Sequence, residues 1–367
     1  MRIQFHWGNR GIAMIIVMIV IVILAVLAGG FAYSMKVETR LARNSSFESE
    51  MELLGRSGVE KARYALGMQL RVPEQGAYSA LNQQWAGGPA GTNELLIDIQ
   101  LQHCQLPQGE YSVLKIEDME RKFNLSAIRE GNSIIFERAL ELIGVDATDV
   151  TTIVDSYLDW TDPDENPRLH GAESKFYLNL DPQSPYFAKN GPMDDISELK
   201  LLNGMSEEIY WGSGASGMPI GGDHPSSRST VMVEGSDEKL SAGLYDLFTT
   251  ISAAGQAVNF NTASADVLRL IPGVSPSLAR SIVETRAGPD HMDGTEDDTP
   301  FEQRGDVATA GGMDANVLNA INPFLTLQSS VFKVTVEAKI GSNIRRYEAL
   351  LQRRNAVDIT ILYFRWL

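Results

Sequence analysis

Two stretches of the chain concentrate oxygen ligands. Asp162, Asp164, Asn166 and Glu173 fall at positions 1, 3, 5 and 12 of one loop, DPDENPRLHGAE. That is the spacing at which an EF-hand surrounds Ca²⁺ with hard oxygens and closes the shell with a bidentate Glu. Position 6 is Pro167 rather than Gly, so the loop departs from a standard EF-hand. Residues 288–301 (GPDHMDGTEDDTPF) add Asp290, Asp293, Glu296, Asp297 and Asp298. Carboxylates packed so densely repel one another unless they are fully hydrated or neutralised by a cation. One or two calcium ions are the expected chemistry; a solvated acidic loop is the other reading of each stretch. His170 and His291 lie in these loops, but two lone histidines do not make a zinc set.

No other residue pattern selects a reaction. The chain has no G-x-S-x-G, H-E-x-x-H, P-loop or Rossmann fingerprint. Its five histidines are scattered, so an anchored hydrolase has no residue set behind it. The 367 residues allow two or three domains with their own cores. The formal net charge is −16, and residues 1–35 carry only Arg2 and Arg10, which leaves −18 on the rest. Such a surface repels nucleic acid and favours cations. Cys104 is the single cysteine, so no internal disulfide can form, and bound calcium would supply the missing staple.

What must position the acidic loops begins at an apolar helix. Residues 11–35 carry no charge. As a helix, residues 12–35 reach about 36 Å, enough to cross a bilayer. Arg2 and Arg10 precede this segment, which places the N-terminus in the cytoplasm and the bulk outside. Apolar residues then recur at three- to five-residue spacing over 36–66, so the helix is expected to continue outward as an amphipathic one that packs on a sheet.

The junction Arg10-Gly11-Ile12-Ala13-Met14-Ile15-Ile16 resembles the processing site of type IV pilins and type II secretion pseudopilins. The resemblance implies cleavage by a prepilin peptidase between Gly11 and Ile12, with N-methylation of Ile12. Most members carry Glu at the fifth mature position, where this chain has Ile16. The K-type minor pseudopilin characteristically lacks that Glu, which narrows the resemblance to the general secretion pathway protein K family. Residues 118–126 (DMERKFNLS) resemble that family's passage from sheet to helical insertion. Asp-x-Asp followed by Gly-Ala-Glu also recurs there, in a family some of whose members bind calcium.

The resulting expectation is an α+β fold: a long N-terminal helix on an antiparallel pilin-like sheet, interrupted by a large all-α insertion with two helix-hairpin-helix (SAM-like) units. Its parts would be a leader (1–11), a transmembrane helix (12–35), the pseudopilin helix and first strands (36–126), the insertion (127–325) and C-terminal strands (326–367). Residues 67–93 and 212–241 read as loops. Strands are expected at 94–102, 110–117, 331–340, 344–353 and 357–366, and helices at 130–143, 147–158, 263–285 and 314–321. Residues 199–210 and 268–279 repeat without a gap at an offset of 69. Each reads as a helix, a turn at Gly204 or Gly273, and a Ser-capped second helix. Ser275 replaces the second glycine of the usual DNA-binding hairpin. Close approach of a phosphate is thereby hindered, and a packing role is favoured.

By resemblance the chain would be a single-pass protein of the bacterial inner membrane, standing at the tip of the periplasmic pseudopilus. It would initiate assembly with the I- and J-type minor pseudopilins, the major pseudopilin and the inner-membrane assembly platform, and lack catalytic activity. The alternatives are a type IV pilus or competence minor pilin that touches DNA, and an anchored periplasmic protein unrelated to pili.

Overall fold

Sixty residues of uninterrupted helix, α1 (Arg10–Gln69), open the structure. Good helix formers and the absence of proline allow it to run about 90 Å. The computed structural model describes residues 10–73, 75–89, 96, 98–181, 183–212 and 239–367. Residues 1–9 of the leader expected over 1–11, and most of the loop expected over 212–241, lie outside the described residues. Every described side chain from Met14 to Ala42 is exposed. Among the described residues α1 is the one helix long and apolar enough to cross a membrane. Its second half is different: Met51, Leu54, Val59, Ala62 and Leu66 are buried in one cluster with Val334, Val336, Tyr347 and Leu351.

The sheet beneath α1 is antiparallel, in the order β1 (Cys104–Leu106), β2 (Gly109–Asp118), β7 (Val331–Ile340), β8 (Asn343–Arg353), β9 (Ile359–Trp366). Gly341 takes φ 61° in the β7–β8 turn, a backbone state that glycine enters without steric cost. Two glycines of α1 permit an unusually close seat. A Cβ at Gly55 would lie 2.5 Å from the Tyr347 ring, and one at Gly58 would overlap Val336. The strand expected over 94–102 is not formed at 96 or 98–102, which are turn and coil, while 94, 95 and 97 lie outside the described residues. Its apolar residues are spent elsewhere: Leu96 and Ile99 bury against Met68 and Val72 at the end of α1. The shorter β1 takes the sheet edge.

Between β2 and β7 lies the insertion, with its own core. It contains α2 (Ile134–Ile143), α3 (Ala147–Thr161), α4 (Ser174–Leu180), α5 (Glu207–Trp211), α6 (Leu244–Leu247), α7 (Ala265–Leu268), α8 (Pro276–Arg286), α9 (Arg304–Ala310) and α10 (Ala315–Ile321). The insertion is not all-α. Two short parallel ladders join β3 (Phe123–Asn124) to β4 (Phe248–Thr249) and β5 (Val258–Asn259) to β6 (Leu325–Thr326). They tie distant stretches together where the helices are too short to do so. The two repeats have matching turns: Gly204 and Gly273 sit at φ 84° and 89°. Ser206 Oγ accepts from Ile209 N and Ser275 Oγ from Leu278 N, each at 3.2 Å.

A buried polar knot joins insertion to sheet. The Asp118 carboxylate, at the end of β2, accepts from Glu120 N (2.8 Å), Asn259 Nδ2 (3.1 Å), Thr262 Oγ1 (2.5 Å) and Ser329 Oγ (2.6 Å). Glu120 accepts from Ala253 N (3.2 Å) and Ser330 Oγ (2.8 Å). Buried Arg353 donates to Ser79 Oγ (2.9 Å) and Ser329 O (2.8 Å). Asp118 and Glu120 are thereby bonded from both sides of the seam, and Arg353 is satisfied from the sheet side.

Candidate metal centre

Helix α3 carries Asp159 on its last turn and stops at Asp162, its C-cap. Asp159 is fully buried. Gly171 lies against it so closely that a Cβ there would overlap Asp159 Oδ2, which explains the glycine of Gly-Ala-Glu. Two residues on, Glu173 is the N-cap of α4 but makes no side-chain capping bond. Ligand oxygens of Asp159, Asp162 and Glu173 all lie within 4.8 Å of one another.

Three carboxylates in so small a volume need positive charge, and Arg168 provides part of it. Its Nη1 donates to Asp159 Oδ1 (2.6 Å) and Asp162 Oδ2 (2.5 Å), while Nη2 reaches Glu130 Oε2 at 3.3 Å. Glu173 is left out. It is 3% exposed, and neither oxygen has a hydrogen-bond partner. Burial, reinforced by Asp159 and Asp162, pushes its pKa up to about 7. A buried anion without a donor is costly. Hard, clustered oxygens with one orphaned carboxylate fit a calcium-like cation, which would take Asp159, Asp162 and Glu173 as ligands.

The EF-hand spacing selects the wrong partners. Asp164 and Asn166 lie on the exposed side of the loop and satisfy each other: Asn166 N and Nδ2 donate to Asp164 Oδ1 at 2.8 and 2.7 Å. Pro167, where an EF-hand needs a glycine turn, does not let the loop fold back to bring them round. Asp159 replaces them. Its signal in the sequence is the i, i+3 spacing to Asp162 at the end of a helical pattern, which puts both on one face.

In the second acidic loop no three carboxylates among the described residues come within 4.8 Å of one another, and local donors hold several of them. Asp293 takes two bonds of 2.9 Å from Arg286, whose Nη1 also caps the carbonyls of Phe260 and Ala263 at 2.7 Å. Asp298 accepts from Gly294 N (2.8 Å), Asp297 from Thr295 Oγ1 (2.8 Å), and Asp290 from Met292 N (2.7 Å). Glu296 is exposed. Local donors and one buried guanidinium do here what a metal was expected to do. His170 and His291 are exposed.

Comparison with known proteins bears on the whole chain. Residues 121–211 match the family model described as type II secretion system (T2SS), protein K. A relative named type II secretion system protein K, from Pseudomonas aeruginosa, is 24% identical over 97% of this chain and 92% of its own length. Over nearly its whole length the chain is thus similar to type II secretion system protein K. A further K-family relative, from Klebsiella pneumoniae, is 28% identical over 55% of the chain, a match that spans 60% of the relative's length. Residues 253–326 match a helix-hairpin-helix motif model, covering α7 to α10. The fold is shared with a chain of the crystallised GspK-GspI-GspJ complex from the enterotoxigenic Escherichia coli type 2 secretion system: TM-score 0.61, 18% identity, 89% of this chain and 99% of that one. The match to the protein K model begins just past the end of β2 and closes at α5, so it contains the whole carboxylate centre.

Proposed function

We propose that this chain is a K-type minor pseudopilin, anchored in the inner membrane by α1, that caps the periplasmic pseudopilus and initiates its assembly. The observation that carries the reading is the division of α1. Its first half is bare and apolar, while its second half is sealed onto a sheet that a bulky insertion interrupts. A bare apolar helix suits a bilayer before assembly and a filament core after it. An insertion so large hinders stacking of further copies and suits a terminal position.

The I- and J-type minor pseudopilins are the proposed partners, in keeping with the complex named for the structural neighbour. The major pseudopilin and the inner-membrane assembly platform complete the set. Ile16, in place of the usual Glu, fits a subunit with no neighbour above it whose amine would need a carboxylate. Prepilin peptidase would cut between Gly11 and Ile12 and leave an N-methylated Ile12. Calcium held by Asp159, Asp162 and Glu173 would brace the end of α3 against the start of α4.

The test is mass spectrometry of the chain after co-expression with prepilin peptidase. A mature N-terminus at methylated Ile12 is expected, and a chain still beginning at Met1 would overturn the pseudopilin reading. Co-purification with I- and J-type subunits tests the position in the assembly. Tight binding to duplex DNA at physiological salt would point to a type IV pilus subunit instead.

A further inference from the structure

Arg168 takes up two of the three carboxylates a metal ion would need. Its Nη1 lies 2.6 Å from Asp159 Oδ1 and 2.5 Å from Asp162 Oδ2, and calcium sits about 2.3–2.6 Å from its oxygens. An ion bound to the same two oxygens would lie within a few ångströms of this nitrogen and meet its like charge. We infer that Arg168 is a built-in competitor for the cation, and that loading the site exchanges the guanidinium for the ion and swings it toward Glu130. The inference rests on the calcium reading proposed above.

Three further observations support an exchange of side chain alone. The backbone of the loop is held apart from the guanidinium contacts, by Arg168 N to Asp159 Oδ2 (3.1 Å), the oxygen Nη1 does not touch, and by His170 N to Asp155 Oδ2 (3.1 Å), outside the cluster. Glu130, already 3.3 Å from Nη2, has a side chain 83% exposed and offers a landing point outside the cluster. Arg168 is also an incomplete substitute, because it bridges two carboxylates and leaves the third, buried Glu173, without a partner. A divalent ion serves all three. Occupancy of the site thus moves one positive charge from among the carboxylates to the surface beside Glu130, just before α2. A divalent cation is converted into a change of surface charge on the insertion.

Calcium chloride titrated calorimetrically into the full-length protein in detergent, as wild type and Arg168→Gln, tests this. The variant is expected to bind Ca²⁺ roughly tenfold more tightly, because no guanidinium has to leave. In chelator it should melt below the wild type, and saturating Ca²⁺ should bring the two together. Equal or weaker binding by a folded Arg168→Gln overturns the competition and leaves the metal site standing. No binding by either protein removes the calcium reading, and the competition with it. Arg168→Lys keeps the charge for folding but cannot bridge two carboxylates with a planar fork. It is expected to bind with an intermediate affinity, and one equal to the wild type would count against the exchange.

Discussion

Glu173 and Asp118 are both buried carboxylates, and the fold treats them in opposite ways. Asp118 receives four donors, whereas Glu173 receives none. With so many donors around it, Asp118 is best read as the anion, even though burial raises its pKa. Asp118→Asn would remove the charge and turn an amide N–H₂ toward a pocket lined with donors. It should cost about 3 kcal/mol in thermal or urea unfolding, and a loss within error of zero would refute the knot. Glu173→Gln has the other sign. In chelator it should stabilise the protein by about 1 kcal/mol, and the rise in Tm on adding Ca²⁺ should disappear. Lys122 carries a pH dependence. Burial, only partly offset by Glu117 and Asp246, lowers its pKa from 10.5 to about 8. The folded state therefore binds fewer protons than the unfolded one between these values, so the cost of the buried charge is present below pH 8 and fades as pH rises toward 10.5. Relative to Lys122→Met, the wild type should gain stability between pH 7 and pH 9.5 in urea titrations. A constant gap would contradict this.

At the scale of elements, α1 was legible and its seat was not. Composition and spacing give a helix from the apolar segment through residue 66, because the first half is an unbroken apolar run of bilayer length, the second is rich in helix formers, and both are free of proline. Gly55 and Gly58 have the low helix propensity of any glycine. In the fold they are where the helix touches Tyr347 and Val336 most closely. Gly58→Leu should therefore cost about 3 kcal/mol by overpacking despite gaining about 1 kcal/mol of helix propensity. Gly29→Ala, where an added Cβ meets nothing within 4 Å, should leave the melting of the head unchanged. The strand misread at 94–102 has the same origin as the unread seat. Period-two patterning marks half-buried residues, and whether they pair in a ladder or pack under a helix end depends on a neighbour distant in sequence.

For the molecule as a whole, the sheet closes only when chain from both sides of the insertion meets. β2 pairs directly with β7 in one antiparallel ladder. A chain beginning at residue 45 keeps the buried residues of α1 from Met51 onward and should remain folded and soluble by circular dichroism. One beginning at residue 60 loses Met51, Leu54 and Val59 from the core and should not.

Apolar runs, helix periodicity and the Gly-Ser hairpin repeats are local properties, so the sequence by itself determined the long apolar helix, the α+β class, the final strands and the two hairpin turns. The carboxylate centre was only half legible. Loop spacing pointed to Asp162 and Glu173, but Asp159 and Arg168 join them because α3 runs on to Thr161 and Gly171 lets the chain close over it. The other acidic loop has the denser sequence signal, and Arg286 answers it from inside the core. Which carboxylates share a charge is a matter of distance through space, and only the tertiary structure sets that distance.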